Sequence, residues 1–144
     1  MASNCIKSKD YLELISSAGQ HYLIELSGCP STHLSSTPSI KDVLLEAAHE
    51  AGATIISSSF HKLPHNGVSG VVLIAESHFS IHTYPNLGYA AIDIYTCGKK
   101  IKPEKAVKVL LGMFEAKFIC KTVVDRGIKE VDGYSHRIGP RVVV

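Results

Sequence analysis

The sequence has almost no net charge and no concentration of charge of one sign. Its 15 lysine and arginine residues are nearly balanced by 13 aspartate and glutamate residues, which leaves a net charge of +2. The basic residues are scattered, with short pairs such as Lys99-Lys100 and no basic stripe. Because nucleic-acid binding normally requires a concentrated basic face, we expect no nucleic-acid partner.

Long apolar runs and paired cysteines are also absent. No apolar run approaches the ~20 residues that span a bilayer, so we expect no membrane insertion. The cysteines form no CxxC pair and are too sparse for a disulfide framework, which predicts reduced thiols. They are Cys5, Cys29, Cys97 and Cys120. Asp10 and Glu13 interrupt the N-terminal apolar residues, unlike in a secretory signal, so we expect a cytoplasmic protein.

The length predicts a single domain. A chain of 144 residues can bury a substantial core but is too short for two ordinary domains, so we assign residues 1–144 to one unit. Residues 1–19 are interpreted as an N-terminal extension and residues 126–144 as a tail without clear periodicity. No internal repeat or linker divides the chain.

The order of predicted elements indicates the fold class. Apolar residues at helical spacing predict a helix at 40–52, and a proline in the first turn begins a second helix at 103–117. Strands are predicted at 21–29, 53–60, 69–84, 89–97 and 118–125. The segment 69–84 is too long for one ordinary strand, so we expect a break in it. Consecutive strands between two helices predict an α+β two-layer sandwich, with a mainly antiparallel sheet packed against the helices.

Reactive side chains are concentrated in one segment, VSGVVLIAESHFSIHTYPNLGYAAIDIYTCG, at residues 68–98. Its three short motifs are Glu76-Ser77-His78, Ile81-His82-Thr83 and Thr96-Cys97-Gly98. In these motifs and their spacing the chain resembles the bacterial and archaeal class of S-adenosylmethionine decarboxylase, and the likeness extends from about Tyr22 to Val124. The two tails lie outside the likeness.

The resemblance implies that the chain cleaves itself at this motif. A serine hydroxyl can attack the preceding peptide carbonyl and exchange the amide for an ester. Removal of the serine α-proton then expels the carboxylate and leaves dehydroalanine, which hydrolyses to a pyruvoyl group. The resemblance implies that this occurs between Glu76 and Ser77, giving a β chain of residues 1–76 and an α chain of residues 77–144. The pyruvoyl cofactor forms a Schiff base with the substrate amine and serves as the electron sink for decarboxylation.

The resemblance also implies a role for each reactive side chain. Ser77 becomes the pyruvoyl group, His82 is the base of the elimination and Ser69 supports the processing intermediate by hydrogen bonding. Cys97 returns a proton to the substrate carbon after CO₂ leaves. The product is the aminopropyl donor for spermidine biosynthesis. Relatives of this length form homodimers in which both subunits line each site, and we expect the same arrangement.

Strand geometry supplies an independent test of this mechanism. Residues alternate between the two faces of a strand, so Ser77 and His82, five positions apart, point to opposite sides of a regular one. If they cooperate, the backbone must bend or bulge between them, and a continuous regular strand there would count against the mechanism. We therefore predict an irregularity between residues 76 and 82.

The substrate-binding positions depart from the family pattern. The resemblance places Leu63 and Tyr84 where the family holds adenine between aromatic rings, and Asn86 where a glutamate often contacts the ribose. Tyr84 can stack on a purine, but Leu63 offers only an apolar wall. Similar proteins decarboxylate arginine or ornithine, so a decarboxylase for a basic amino acid is the alternative function.

The sequence also admits two other classes of function, a metal-binding module and a non-catalytic domain. The pairs His61/His65 and His78/His82 have zinc-ligand spacing on a helix, but they lie in extended segments, where four residues span ~13 Å. We therefore predict no metal site. A non-catalytic α+β binding domain is the third hypothesis, and an uncut chain would favour it.

Overall fold

The computed structural model describes residues 18–127 in full and the backbone of 128–129, 133–134, 137–138 and 142–143. Two helices, α1 and α2, span Thr37–Glu50 and Pro103–Met113. The long strands are β1 (Gly19–Ser27), β2 (Ile55–Lys62), β3 (Val68–Ile74), β4 (Ser77–Tyr84), β5 (Tyr89–Cys97) and β6 (Phe118–Arg126). Short strands follow at Ile128–Lys129 (β7), Gly133–Tyr134 (β8), Arg137–Ile138 (β9) and Val142–Val143 (β10).

The six long strands form one antiparallel sheet in the order β6-β1-β5-β4-β3-β2. Strands β9 and β10, from the predicted tail, pair with β6, and β7 pairs with β8. Of the predicted N-terminal extension, only residues 18 and 19 are among those described. The predicted α+β fold, a mainly antiparallel sheet with helices packed on it, is confirmed.

One face of the sheet packs against the helices and forms the core. In β1, buried Tyr22, Ile24 and Leu26 alternate with exposed Leu23 and Glu25, as expected for a strand covered on one side. The largest fully buried side chains come from the sheet, from the two helices and from residues next to the helices. They include Phe79, Ile81, Leu44, Leu110 and Phe114. In the described part of the chain, no helix covers the other face, which we call the open face.

The helices differ from the predicted bounds at their ends. Helix α1 begins at Thr37, three residues before the prediction, because the hydroxyl of Ser36 accepts a hydrogen bond from the N–H of Ser39 (3.4 Å) and Pro38 lies in the first turn. Helix α2 ends at Met113, before the predicted end at residue 117. No described helix is long and apolar enough to cross a membrane.

The predicted break in the segment 69–84 is confirmed. Ala75 and Glu76 form a two-residue turn that splits the segment into β3 and β4, which pair with each other from Ile74↔Ser77 to Ser69↔His82. The open face of this hairpin therefore carries Ser69 beside His82. The Glu76–Ser77 bond lies where the turn enters β4.

Candidate active site

Ser77 has a strained backbone at the start of β4. Its φ is 145°, a positive value that favours glycine, yet serine occupies the position and still pairs in register with Thr96. Such a conformation costs on the order of 1–3 kcal/mol and persists only where the surrounding structure enforces it. The strain is located at the bond that the sequence predicts to be cut.

A main-chain N–H donates a hydrogen bond to the carbonyl group that precedes Ser77. The carbonyl oxygen of Glu76 accepts a hydrogen bond from the N–H of Cys97 (2.8 Å). Attack on this carbonyl would place negative charge on the same oxygen, and a fixed N–H donor stabilises such an oxyanion. The Sγ of Cys97 lies 3.5 Å from the Oγ of Ser77, so both groups of Cys97 face the cleavage site.

His82 and Ser69 form a second pair on the open face. The Oγ of Ser69 and the Nδ1 of His82 are 2.7 Å apart, across the register pair of β3 and β4. His82 is exposed. The pair opens on a shallow cavity of about 290 Å³, which is lined by Ser59, His61, Ser69, Gly70, Val71, Ser80 and His82.

The structure does not bring these two pairs together within one chain. Strand β4 pairs without interruption with β3 from Ser77 to His82 and with β5 from Ser77 to Tyr84. The irregularity predicted between residues 76 and 82 is therefore confined to the φ of Ser77 and includes no bulge. Five residues of extended strand separate Ser77 from His82 by about 17 Å. The expectation that a bend would join them in a single chain is wrong.

Comparison with known proteins identifies the family. The sequence model of the S-adenosylmethionine decarboxylase family matches residues 20–127. A protein of Thermococcus gammatolerans named S-adenosylmethionine decarboxylase proenzyme is 46% identical over 125 residues, which cover 86% of this chain and 87% of that protein. The chain belongs to the S-adenosylmethionine decarboxylase family.

Further relatives of the family agree in sequence and in fold. A protein of Acetivibrio thermocellus with the same proenzyme name is 46% identical over 112 residues, covering 78% of this chain and 90% of the relative. The crystal structure of the adenosylmethionine decarboxylase from Aquifex aeolicus matches with a TM-score of 0.74 and 36% identity, over 82% of this chain and 98% of that one. The predicted family and enzyme class are confirmed.

Two of the three predicted substrate-binding residues, Tyr84 and Asn86, lie at the far end of β4. Tyr84 and Asn86 line a cavity of about 260 Å³ together with His65 and Leu87. Leu63 is half-buried, and its N–H donates to the carbonyl of Gly67 (2.8 Å), but it is not among the residues that line this cavity. Of the three predicted substrate-binding residues, the structure therefore brings two together.

The sequence indicates His65 only as a candidate metal ligand, but in the structure it stacks on Tyr84 with ring centres 5.3 Å apart and planes 15° apart. Tyr89 stacks on Tyr84 as well, at 5.4 Å. The Nε2 of His65 donates to the carbonyl of Thr83 (3.2 Å), which fixes the ring, and a Cβ at Gly67 would overlap both groups. The available signal in the sequence was the aromatic ring of His65, two positions after Leu63 and two before Gly67.

A polar cluster occupies the open face beside Ser77. Asp93 contacts the Nε2 of His21 (3.0 Å) and accepts from the hydroxyl of Ser80 (3.1 Å), while Arg126 lies over the ring of Tyr95. His78, next to Ser77, is part of this cluster through its edge contact with Tyr95. Burial, followed by the nearby His21, lowers the pKa of His78, which favours its neutral form.

The pairs His61/His65 and His78/His82, which have zinc-ligand spacing in the sequence, belong to no three-residue ligand group in the described part of the chain. The group found there with metal-binding spacing is Glu46, His49 and Glu50, exposed at the end of α1. His78 and His82 lie on the same face of β4, about 13 Å apart along the strand. The histidines of the decarboxylase motif are thus placed for separate roles.

Proposed function

We propose that this chain is a pyruvoyl-dependent S-adenosylmethionine decarboxylase that makes its own cofactor by cutting the Glu76–Ser77 bond. The observation that carries the proposal is the geometry at this bond. Ser77 has a strained positive φ, and the carbonyl that its hydroxyl must attack already accepts a hydrogen bond from Cys97. A serine in an ordinary turn has no need of either feature.

Cleavage requires two chemical steps. In the first, the Oγ of Ser77 bonds to the carbonyl carbon of Glu76, the C–N bond breaks and the hydroxyl proton ends on the released nitrogen. In the second, a base removes the α-proton of Ser77 and the Glu76 carboxylate leaves. The remaining dehydroalanine takes up water and releases ammonia, which leaves a pyruvoyl group at the start of residues 77–144.

We assign the base to His82, held by Ser69, and the proton donor of the decarboxylation to Cys97. The hydrogen bond to Ser69 orients the His82 ring, and a neutral imidazole nitrogen can accept a proton. Once formed, the pyruvoyl carbonyl supplies an electron sink for loss of CO₂. Cys97 touches Ser77 and is therefore close enough to protonate the substrate carbon afterwards.

The separation of the two pairs supports a homodimer with shared sites. Because Ser77 and His82 of one chain cannot meet, a second copy must supply His82 and Ser69 to each cleavage bond. The open face is suited to this contact, because it carries the exposed apolar side chains Leu23 (37%), Val71 (39%) and Leu73 (46%). Two such sheets packing face to face would bury these side chains and the polar cluster.

The substrate subsite is the cavity beside Tyr84. In it, the rings of Tyr84 and His65 provide stacking surfaces for a purine, and Asn86 can hydrogen-bond a ribose hydroxyl. Leu63 does not line this cavity and is therefore not part of the proposed subsite. The relatives at 46% identity carry the S-adenosylmethionine name, and the product would serve as aminopropyl donor for spermidine.

The first test is the intact mass of the purified protein under denaturing conditions. We expect two chains, residues 1–76 and 77–144, with the second blocked to Edman sequencing by its pyruvoyl group. Ser77→Ala should remain one chain, while Ser57→Ala, a change at an exposed serine of β2, should be cut normally. A wild-type chain that stays whole would refute the proposal.

The substrate is tested on the cut protein by CO₂ release. We expect release from S-adenosylmethionine and none above background from arginine or ornithine at the same concentration. Preference for either basic amino acid would transfer the assignment to the alternative decarboxylase while leaving the cofactor chemistry in place.

A further inference from the structure

The carboxylate of Glu76 accepts hydrogen bonds from two other residues, although the cleavage chemistry uses only the main-chain carbonyl of Glu76. Thr54 donates to its carboxylate twice, from the backbone N–H (3.1 Å) and from the hydroxyl (3.0 Å). Lys100 donates to the same carboxylate (3.1 Å) and to the hydroxyl of Thr54 (2.6 Å). The Glu76 side chain is only 12% exposed, whereas Lys100 is 62% exposed.

These contacts connect the turn to two separate loops. Thr54 lies between α1 and β2, and its carbonyl also accepts from the N–H of Ala75, the other turn residue (2.9 Å). Lys100 follows β5 by three residues, and Cys97, the last residue of that strand, binds the Glu76 carbonyl. The end of β5 and the loop that follows it therefore hold Glu76 in two ways. Cys97 binds its main-chain carbonyl, and Lys100 binds its carboxylate.

We propose that Lys100 and Thr54 are positioning residues for self-cleavage, which hold Glu76 so that its carbonyl carbon stays within reach of the Ser77 hydroxyl. This inference rests on the proposed cleavage at Glu76–Ser77. Neither residue touches the reacting atoms. Without them, rotation of the turn could relax the φ of Ser77 and take the Glu76 carbonyl away from the Cys97 N–H.

The charge state of Glu76 fits this role. Burial by itself would raise the pKa of the carboxyl group, but hydrogen bonds from the Thr54 N–H, from Lys100 and from the Thr54 hydroxyl together lower it. The carboxylate is thus charged at neutral pH. Charge-assisted hydrogen bonds hold a geometry more strongly than neutral ones do.

The test measures the rate of chain cleavage in freshly synthesised protein, quenched at intervals and separated under denaturing conditions. Lys100→Met should slow cleavage about tenfold, since it removes a charge-assisted bond that is partly open to solvent. Thr54→Val should also slow it, because it removes the hydroxyl and keeps the backbone donor. Lys105→Met, the same change at an exposed lysine of α2, should cleave at the wild-type rate.

Three readouts separate positioning from a general loss of structure. Lys100→Arg should recover most of the rate, because it restores the charge and the donor. The uncut Lys100→Met chain should resist hydroxylamine, which cuts esters and not amides, because the first step is the one impaired. Combining Lys100→Met with Glu76→Gln should slow cleavage little beyond the slower single variant, because the two residues act through one contact.

The possible failures are distinguishable. If wild-type protein is cut and Lys100→Met is cut equally fast, this inference is overturned and the proposed function stands. Accumulation of a hydroxylamine-sensitive ester in Lys100→Met would also overturn it, since the impaired step would then be the elimination. A wild-type chain that is never cut removes the proposed function and this inference together.

Discussion

If each site is shared between two subunits, two differently damaged chains can complement each other. A Ser77→Ala chain keeps Ser69 and His82 but cannot be cut, and a His82→Ala chain keeps Ser77 and Cys97 but lacks the base. In their heterodimer, one site carries both losses and the other site is intact. Co-expression with two different tags, followed by purification through both, isolates this heterodimer.

The separation of the residues sets the expected result. Within one chain about 17 Å separates Ser77 from His82, whereas a general base must come within about 3 Å of its proton. Loss of the base should slow the elimination about 10²- to 10⁴-fold, so each homodimer should stay uncut on the wild-type timescale. In the heterodimer the His82→Ala chain should be cut, which is about half of all chains.

Mass spectrometry of the denatured heterodimer identifies the chain that is cut. A doubly tagged wild-type dimer, in which both chains should be cut, controls for the tags. If the His82→Ala chain stays whole beside its Ser77→Ala partner, the argument for shared sites is refuted. Normal cleavage of the His82→Ala homodimer would instead remove His82 from the mechanism.

Four further predictions follow from individual contacts. Cys97→Ala should still be cut, because the donor to Glu76 is a main-chain N–H, but single-turnover CO₂ release should fall about 10²- to 10⁴-fold; normal release would exclude the thiol as acid. Tyr84→Ala should raise KM about tenfold without affecting cleavage, and Tyr84→Phe should restore KM, since stacking needs only the ring. Phe79→Ala, placed in the uncut Ser77→Ala chain, should lose about 3–5 kcal/mol of unfolding free energy in urea, because Phe79 is fully buried. The lowered pKa of Glu76 means that its carboxylate stabilises the fold above the unfolded-state pKa and that this stabilisation is lost as pH falls through the folded-state pKa. The unfolding free energy of uncut Ser77→Ala should therefore fall more steeply on acidification than that of Ser77→Ala/Glu76→Gln. Equal slopes of unfolding free energy against pH would contradict the stabilising contacts of the Glu76 carboxylate with Thr54 and Lys100.

The elements of the fold were largely predictable because their signals are local. The strand at 89–97 was predicted with the bounds that the structure has, since alternation and turn residues mark both ends. The helix predicted at 40–52 starts three residues too late, because Ser36 and Pro38 are of residue types that are common both in loops and at helix starts. The break in 69–84 was predicted from length alone, and its position at Ala75 and Glu76 was visible only in the structure.

The sequence by itself determined the family and the residues of its motifs: a serine after Glu76, a histidine five positions later and a thiol at Cys97, at spacings typical of one family. Only the tertiary structure decided which of these groups meet. Strand register joins Ser69 to His82 and Ser77 to Cys97, which leaves the two pairs apart, and loop positions bring Lys100 to Thr54 across 46 residues. Such contacts depend on pairing between distant segments, which local residue patterns do not specify.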